Sequence, residues 1–350
     1  MNNRFAWCVF LLIAVSHQLC SNNSDSFPYG FYDNSSDKID PQTEKFLHEI
    51  NQNPPAFRKM SPKELNEYSV IDPSSLQAHP SIEKIENISI AGPNGPLGLR
   101  IYKPKSPSTL PVFIFIHGGG WTAGSLNGYD HVCQEICRQA TCLLVSVDYG
   151  LAPQHPFPQP LEDCYFATKW VQEHIEKYGG DPKRIAIGGD SAGGNLTAAV
   201  TLKARENHNP NFICQVLICP VTNCNFETLS YYEFSKGYFL SRKDMKFFWG
   251  NYLNNSPIGK NPYVSPLLSE SLANLPPAFL VIANFDPLRD EGLAYGLRLY
   301  RDGVPTVVKR FNSIHGFYGF EELDISKEAL SYISTQLKEQ FARANIRPLA

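Results

Sequence analysis

The chain has 350 residues, 43% hydrophobic and 12% aromatic, enough for one large α/β domain or two ordinary ones. That composition supports a substantial core and excludes wholesale disorder. A net charge of −3, with no Lys/Arg cluster anywhere, leaves no electrostatic footprint for nucleic acid.

At the N-terminus, Met1 to Arg4 carries one positive charge and Ala6 to Val15 is apolar. A helix of that apolar length rises only about 15 Å, about half the hydrocarbon core, so a membrane span is poorly supported. Polar Ser16-His17-Gln18 and then Cys20-Ser21 follow, and residues 1–21 read as a secretory signal peptide cleaved somewhere in Ser16 to Ser21. The expected location is therefore secreted or otherwise extracytoplasmic, an N-terminal membrane anchor being the alternative. No later segment predicts a transmembrane span.

Residues 22 to about 80 are polar and Pro-containing, with helical patches at Gln42 to Asn51 and Ser61 to Tyr68. Ile85 to Ile90 and Leu97 to Tyr102 read as two strands joined by the turn Gly92-Pro93-Asn94-Gly95. Short apolar runs follow at Val112–Ile116, Leu143–Val147, Ile185–Gly188, Ile213–Ile218, Phe279–Ala283 and Thr306–Phe311. Helix-compatible segments separate most of them. Such alternation predicts a buried, mostly parallel sheet with helices on both faces. The stretch 221–265 breaks the rhythm and is rich in Tyr, Phe and Trp, which suits either core or a lid over a site.

Nine cysteines become seven if cleavage removes Cys8 and Cys20, and their spacings match no zinc pattern. At most a disulfide or two is expected. Asn34, Asn87 and Asn254 lie in sequons.

The strongest chemical pattern is Gly189-Asp190-Ser191-Ala192-Gly193-Gly194, between the strand ending at Gly188 and a helix opening at Asn195. This is G-x-S-x-G in its required strand–turn–helix setting, with Ser191 as nucleophile. Small flanking residues avoid clashes on the tight turn, and free N–H groups at the helix start face developing negative charge. A second pattern, His117-Gly118-Gly119-Gly120-Trp121, directly follows the strand Val112–Ile116. Consecutive glycines present backbone amides closely, as an oxyanion loop must. No Lys-Ser/Thr follows them, so a phosphate-binding reading is weak.

A nucleophilic serine needs a base and the base a carboxylate, in chain order Ser, Asp/Glu, His. Only His208 and His315 follow Ser191. His208 lies in a polar helix-ending loop at the wrong end of the sheet, whereas His315 follows the last strand, so His315 is the expected base. Asp286 sits at the mouth of the strand Phe279–Ala283 and is favoured as the carboxylate over Asp290, four residues into the next helix. No H-E-x-x-H or other metal-ligand spacing occurs, so neither a metal nor another cofactor is expected.

These motifs, with Asp148-Tyr149-Gly150-Leu151-Ala152-Pro153, Asp286-Pro287-Leu288-Arg289-Asp290 and His315-Gly316-Phe317, resemble the hormone-sensitive-lipase-like esterases. That family includes arylacetamide deacetylases and bacterial acetyl esterases, and the resemblance covers about residues 80–345. It implies an α/β-hydrolase fold: a mostly parallel eight-stranded sheet in a catalytic domain over 81–350. It also implies a helical cap built from 22–80 and an insertion at about 221–265. Carried over, the triad is Ser191, Asp286 and His315. The oxyanion donors are the N–H groups of Gly119, Gly120 and Ala192, with Gly118 shaping the loop and His117 holding it by a side-chain hydrogen bond. Family members often have Arg and Glu where this chain has Gly150 and Gln154. The implied activity is serine-dependent hydrolysis of small to medium acyl or aryl esters. A lipase, an amide deacetylase or a non-catalytic binding protein of the same fold are the alternatives. The expected partners are a small-molecule ester and, where the assembly is a homodimer, a second copy of the chain.

Overall fold

The computed structural model describes residues 30–32, 38–61, 63–65, 77–106 and 108–346. The signal-peptide reading and half of the helical patch at 61–68 fall outside these residues.

Nine strands form one sheet: β1 (Gly30–Tyr32), β2 (Ile82–Gly92), β3 (Gly95–Pro104), β4 (Leu110–Ile116), β5 (Leu143–Asp148), β6 (Gly180–Asp190), β7 (Gln215–Ile218), β8 (Ala278–Phe285) and β9 (Thr306–Ile314). Their spatial order is β1-β9-β8-β7-β6-β4-β5-β3-β2. The eight strands from β2 to β9 are the expected sheet, parallel except where β3 meets β2 and β5. Strand β1 was not foreseen; it pairs parallel with β9 through Gly30↔Val307 to Tyr32↔Lys309. Three residues without a distinctive apolar pattern carry no strand signal, so only the neighbouring edge reveals it.

The period-two alternation of the strands divides the core between the two sheet faces. In β4, entirely buried, Phe113 and Phe115 join one cluster, whereas Val112, Ile114 and Ile116 join the other. The first face carries α2 (Asp130–Ala140) and the C-terminal α8 (Asp324–Ile346), through Ile136, Cys137, Ile333 and Leu337. The second carries α3 (Gln159–His174) and α4 (Ala192–Asn207), and α7 (Arg289–Arg301) packs there beside β8. The short α1 (Pro41–Ile50) is capped by Asp40, which accepts the Thr43 N–H at 2.9 Å.

Between β7 and β8 lie α5 (Leu229–Glu233) and α6 (Arg242–Leu253), so the interruption at 221–265 contains two helices joined by irregular chain. Helix α6 opens with a capping box in which Ser241 and Asp244 bond each other's backbone. Among the described residues no helix is long and apolar enough to cross a membrane. All seven described cysteines are free and six are buried, and burial pushes their thiols up. They serve as small apolar packing groups.

The chain passes from β4 to β5 on one side of β4, while β6 lies on its other side. This reversal opens a crevice beyond the carboxyl ends of β4 and β6, where ligand sites in open α/β sheets collect. Ile116 and Gly189 are paired across these two strands, so the residues that follow them emerge side by side.

Candidate active site

Ser191 occupies the turn between β6 and α4 with φ 52° and ψ −118°, a disfavoured conformation for a residue with a Cβ. The neighbouring chain enforces it. A Cβ at Gly193 would run into the carbonyl oxygens of Ile116 and His117, so only glycine lets the helix start pass so close to β4. The Ser191 N–H donates to Ile218 O at 2.8 Å, and its carbonyl accepts the Val221 N–H at 3.1 Å. The turn is therefore anchored to β7 and to the chain leaving it.

His315, 124 positions later, brings Nε2 to 2.9 Å from Ser191 Oγ. Its Nδ1 lies 2.7 Å from Asp286 Oδ2, and Asp286 Oδ1 accepts the Leu288 N–H at 2.8 Å. All three side chains are buried. The rival residues sit elsewhere. His208 caps the far end of α4, whose 16 residues span about 24 Å. Asp290 accepts the Ser230 N–H at 2.8 Å and pairs with Arg289 at 2.9 Å, fastening the insertion.

Cys219 shares the neighbourhood, its sulfur lying within 4.8 Å of the ligating atoms of Asp286 and His315. Two ligands of one tetrahedral zinc stand about 3.3 Å apart, whereas the His315 and Asp286 atoms are hydrogen-bonded more closely than that. The geometry is a hydrogen-bonded relay with a thiol beside it.

The segment after β4 supplies the facing wall. Gly119 and Gly120 have φ 103° and 59°, and both line the cavity that contains Ser191 and His315. Ala192 is the first residue of α4, so its N–H has no partner within the helix. His117 is fully buried, its Nδ1 2.8 Å from Gly118 O and its ring stacked on Tyr149 at 4.4 Å. The Tyr149 hydroxyl donates to His117 O at 2.8 Å. Burial pushes the His117 imidazole down to about 4, so it stays neutral.

Asp190, inside the serine motif but given no role from the sequence, is a structural tie. Its Oδ1 accepts the Gly118 N–H at 2.8 Å across 72 positions, and its Oδ2 accepts the Tyr129 hydroxyl at 3.1 Å. Tyr318 also helps to hold this carboxyl charged. Burial raises this carboxyl to about 6, partly offset by these donors and by His315. An Asp beside the motif serine was the available signal, but its partners come from distant segments.

Glu291 was also missed. It is buried in α7 and accepts the N–H groups of Thr222 at 2.7 Å and Asn223 at 3.2 Å, tying the β7 exit to the helix after Asp286. Burial, with a contribution from Asp286, raises it to about 8 against the pull of these donors.

The electrostatics of His315 give a testable sign. Burial alone would lower its pKa, but the charge and hydrogen bond of Asp286, with the charge of Asp190, raise it overall. Replacing Asp190 with Asn removes one of those anions while keeping an acceptor for Gly118. His315 then loses its proton at lower pH, so the neutral base persists further into acid. The acid limb of the kcat/KM profile moves to lower pH; a limb that stays put or moves upward refutes the coupling.

A cavity of about 440 Å³ opens onto Ser191 and His315. Phe57, Leu65, Phe239, Leu240, Met245 and Phe248 make its walls apolar, and Tyr129, His131 and Glu321 give a polar side. The sequence pointed to aromatic residues at 221–265, and the family resemblance to 22–80 as part of a cap; that Phe57 and Leu65 line the cavity shows only in three dimensions.

Fold and site together define an α/β hydrolase. Residues 113–319 match the family described as alpha/beta hydrolase fold (Abhydrolase_3), and the chain belongs to that family, in its hormone-sensitive-lipase-like branch. The carboxylic ester hydrolase LipN of Mycobacterium tuberculosis is 41% identical over 246 residues, covering 68% of this chain and 65% of that relative. An arylesterase of Saccharolobus solfataricus is 36% identical over 247 residues, covering 70% of this chain and 80% of its own. Among solved structures, a thermostable esterase from Pseudomonas putida superposes with a TM-score of 0.82 at 34% identity, over 88% of this chain and 99% of that one.

Proposed function

We propose that this chain is a serine carboxylic ester hydrolase acting on small to medium acyl or aryl esters through an acyl-enzyme. The observation that carries the reading is the unbroken hydrogen-bond path from Ser191 through His315 to Asp286, whose first two members line a largely apolar cavity. Esterase relatives support it.

Ser191 Oγ attacks the ester carbonyl while His315 Nε2 takes its proton, and Asp286 fixes the tautomer and stabilises the imidazolium. The N–H groups of Gly119, Gly120 and Ala192 receive the oxyanion. His315 then protonates the departing alcohol. Water, deprotonated by the same nitrogen, attacks the acyl carbon, and collapse of the second tetrahedral intermediate returns the proton to Ser191 and releases the acid.

The cavity lies toward the lower end of the range of about 300–1,000 Å³ common for small-ligand sites, which favours short and medium chains. Hydrolysis of p-nitrophenyl esters of increasing length is expected to peak at short acyl chains; a peak on long chains makes the protein a lipase instead. Met245 is buried and lines the cavity. Met245→Ala is expected to move the optimum to longer chains, by about fourfold in kcat/KM for each methylene newly buried. An optimum unchanged in that variant removes Met245 from the acyl path.

The N-terminal segment and the insertion together form the cap over this site in our reading. Phe57 packs on Phe239 at 5.8 Å and on Phe248 at 6.0 Å, and Arg58 pairs with Asp244 at 3.1 Å. Secretion through the signal at residues 1–21 is part of the same proposal and rests on the apolar run and its polar flank.

A further inference from the structure

The insertion helix α6 reaches past the cavity wall to the oxyanion loop itself. Gly119, Gly120 and Trp121 are three consecutive residues with positive φ, the last at 56°. For the glycines this is unstrained, but a tryptophan holds such a conformation only where its surroundings over-determine it. Those surroundings come largely from α6. The fully buried Trp121 ring lies parallel to Tyr252, centroids 4.3 Å apart and planes 4° apart, and Trp249 packs on it at 4.5 Å. Phe248, from the same helix, lies so close over Gly120 that a methyl group there would strike its ring.

The backbone closes the arrangement. Trp121 O accepts the Ala152 N–H at 2.7 Å, and Tyr252 O accepts the Phe157 N–H at 2.8 Å, so one segment ties down both partners of the stack. Relaxing Trp121 to negative φ would require its ring to leave this slot, and the preceding peptide would turn with it.

We propose that Trp249 and Tyr252 are positioning residues that grip Trp121 and thereby hold the Gly119 and Gly120 amides in line with the carbonyl attacked by Ser191. The insertion on this view is a brace for the oxyanion loop as well as a wall of the cavity. The proposal rests on the esterase reading, and its test separates the two.

Tyr252→Leu removes the stacked ring, whereas Tyr252→Phe keeps it; the Tyr252 hydroxyl has no hydrogen-bond partner among the described residues, so the phenylalanine loses no bond. Each variant is titrated to completion with a fluorophosphonate, and kcat on p-nitrophenyl butyrate is expressed per reactive site. Affinity for a trifluoromethyl ketone, which forms a tetrahedral oxyanion on Ser191, is measured alongside. Tyr252→Leu is expected to lose about 10–100-fold in kcat per site and as much in ketone affinity, with KM within about threefold, while Tyr252→Phe stays near wild type. Kcat per site unchanged in Tyr252→Leu, or a fall in kcat without a matching fall in ketone affinity, overturns the proposal. Where Tyr252→Leu yields no reactive sites, Trp249→Leu is read by the same criteria. A wild-type protein that neither hydrolyses the ester nor reacts with the fluorophosphonate overturns the esterase reading instead.

Discussion

Replacing Ser191 with alanine is expected to lower kcat on p-nitrophenyl acetate by about 10⁵–10⁶-fold while leaving the fold intact. The variant removes one oxygen from a turn whose shape is set by its neighbours. Gly193 still passes beneath the Ile116 carbonyl, and the backbone bonds to Ile218 and Val221 remain. Far-UV circular dichroism and the melting temperature should therefore stay close to wild type, and ester affinity should survive. Without Oγ no acyl-enzyme forms, because His315 Nε2 then has no hydroxyl to deprotonate. The oxyanion loop remains, which is why a residual rate above that of water is expected. Activity within tenfold of wild type, measured on protein free of contaminating esterase, would show that another group is the nucleophile.

The second large effect separates two aspartates four residues apart. Asp286→Asn is expected to reduce kcat by about 10⁴-fold with little change in KM. The carboxylate holds His315 Nδ1 at 2.7 Å and is itself oriented by the Leu288 N–H, so an amide in its place selects the wrong tautomer and cannot stabilise the imidazolium. Asp290→Asn should leave kcat within about threefold, because its oxygens face Ser230 and Arg289 rather than His315. Its effect falls on stability, on the order of 1–2 kcal/mol, through a weakened charged hydrogen bond to the insertion. Comparable losses of kcat in both variants, or the larger loss in Asp290→Asn, contradict this division. Asp190→Asn complements the pair, since it leaves the relay intact and changes the field around His315.

The two aspartates also illustrate how far local reasoning reaches. Position relative to the strand mouth was enough to prefer Asp286, because a strand's end and a helix's start fix where a side chain emerges to within a few ångströms. The use to which Asp290 is put could not be read that way. Its partner Ser230 lies 60 positions upstream, and nothing in either neighbourhood names the other.

What the sequence determined by itself was the class of fold and eight of the nine described strands in chain order, and it pointed to Ser191, His315 and Asp286 as a group. The first two rest on short-range physics; the grouping rests on chain order and on which strand ends carry the residues. Apolar runs of strand length specify a sheet buried on both faces, and glycines at fixed offsets from Ser191 specify a turn that tolerates no side chain there. The tertiary structure alone decided how the site is supported. Asp190 reaches Gly118, Glu291 secures Thr222 and Asn223, Phe57 enters the cavity wall, and Tyr252 stacks on Trp121. Each contact joins residues far apart in the chain, with partners selected by packing among many aromatic and acidic side chains of the same type. Periodicity and spacing encode which face a residue presents; they do not encode which distant residue meets it.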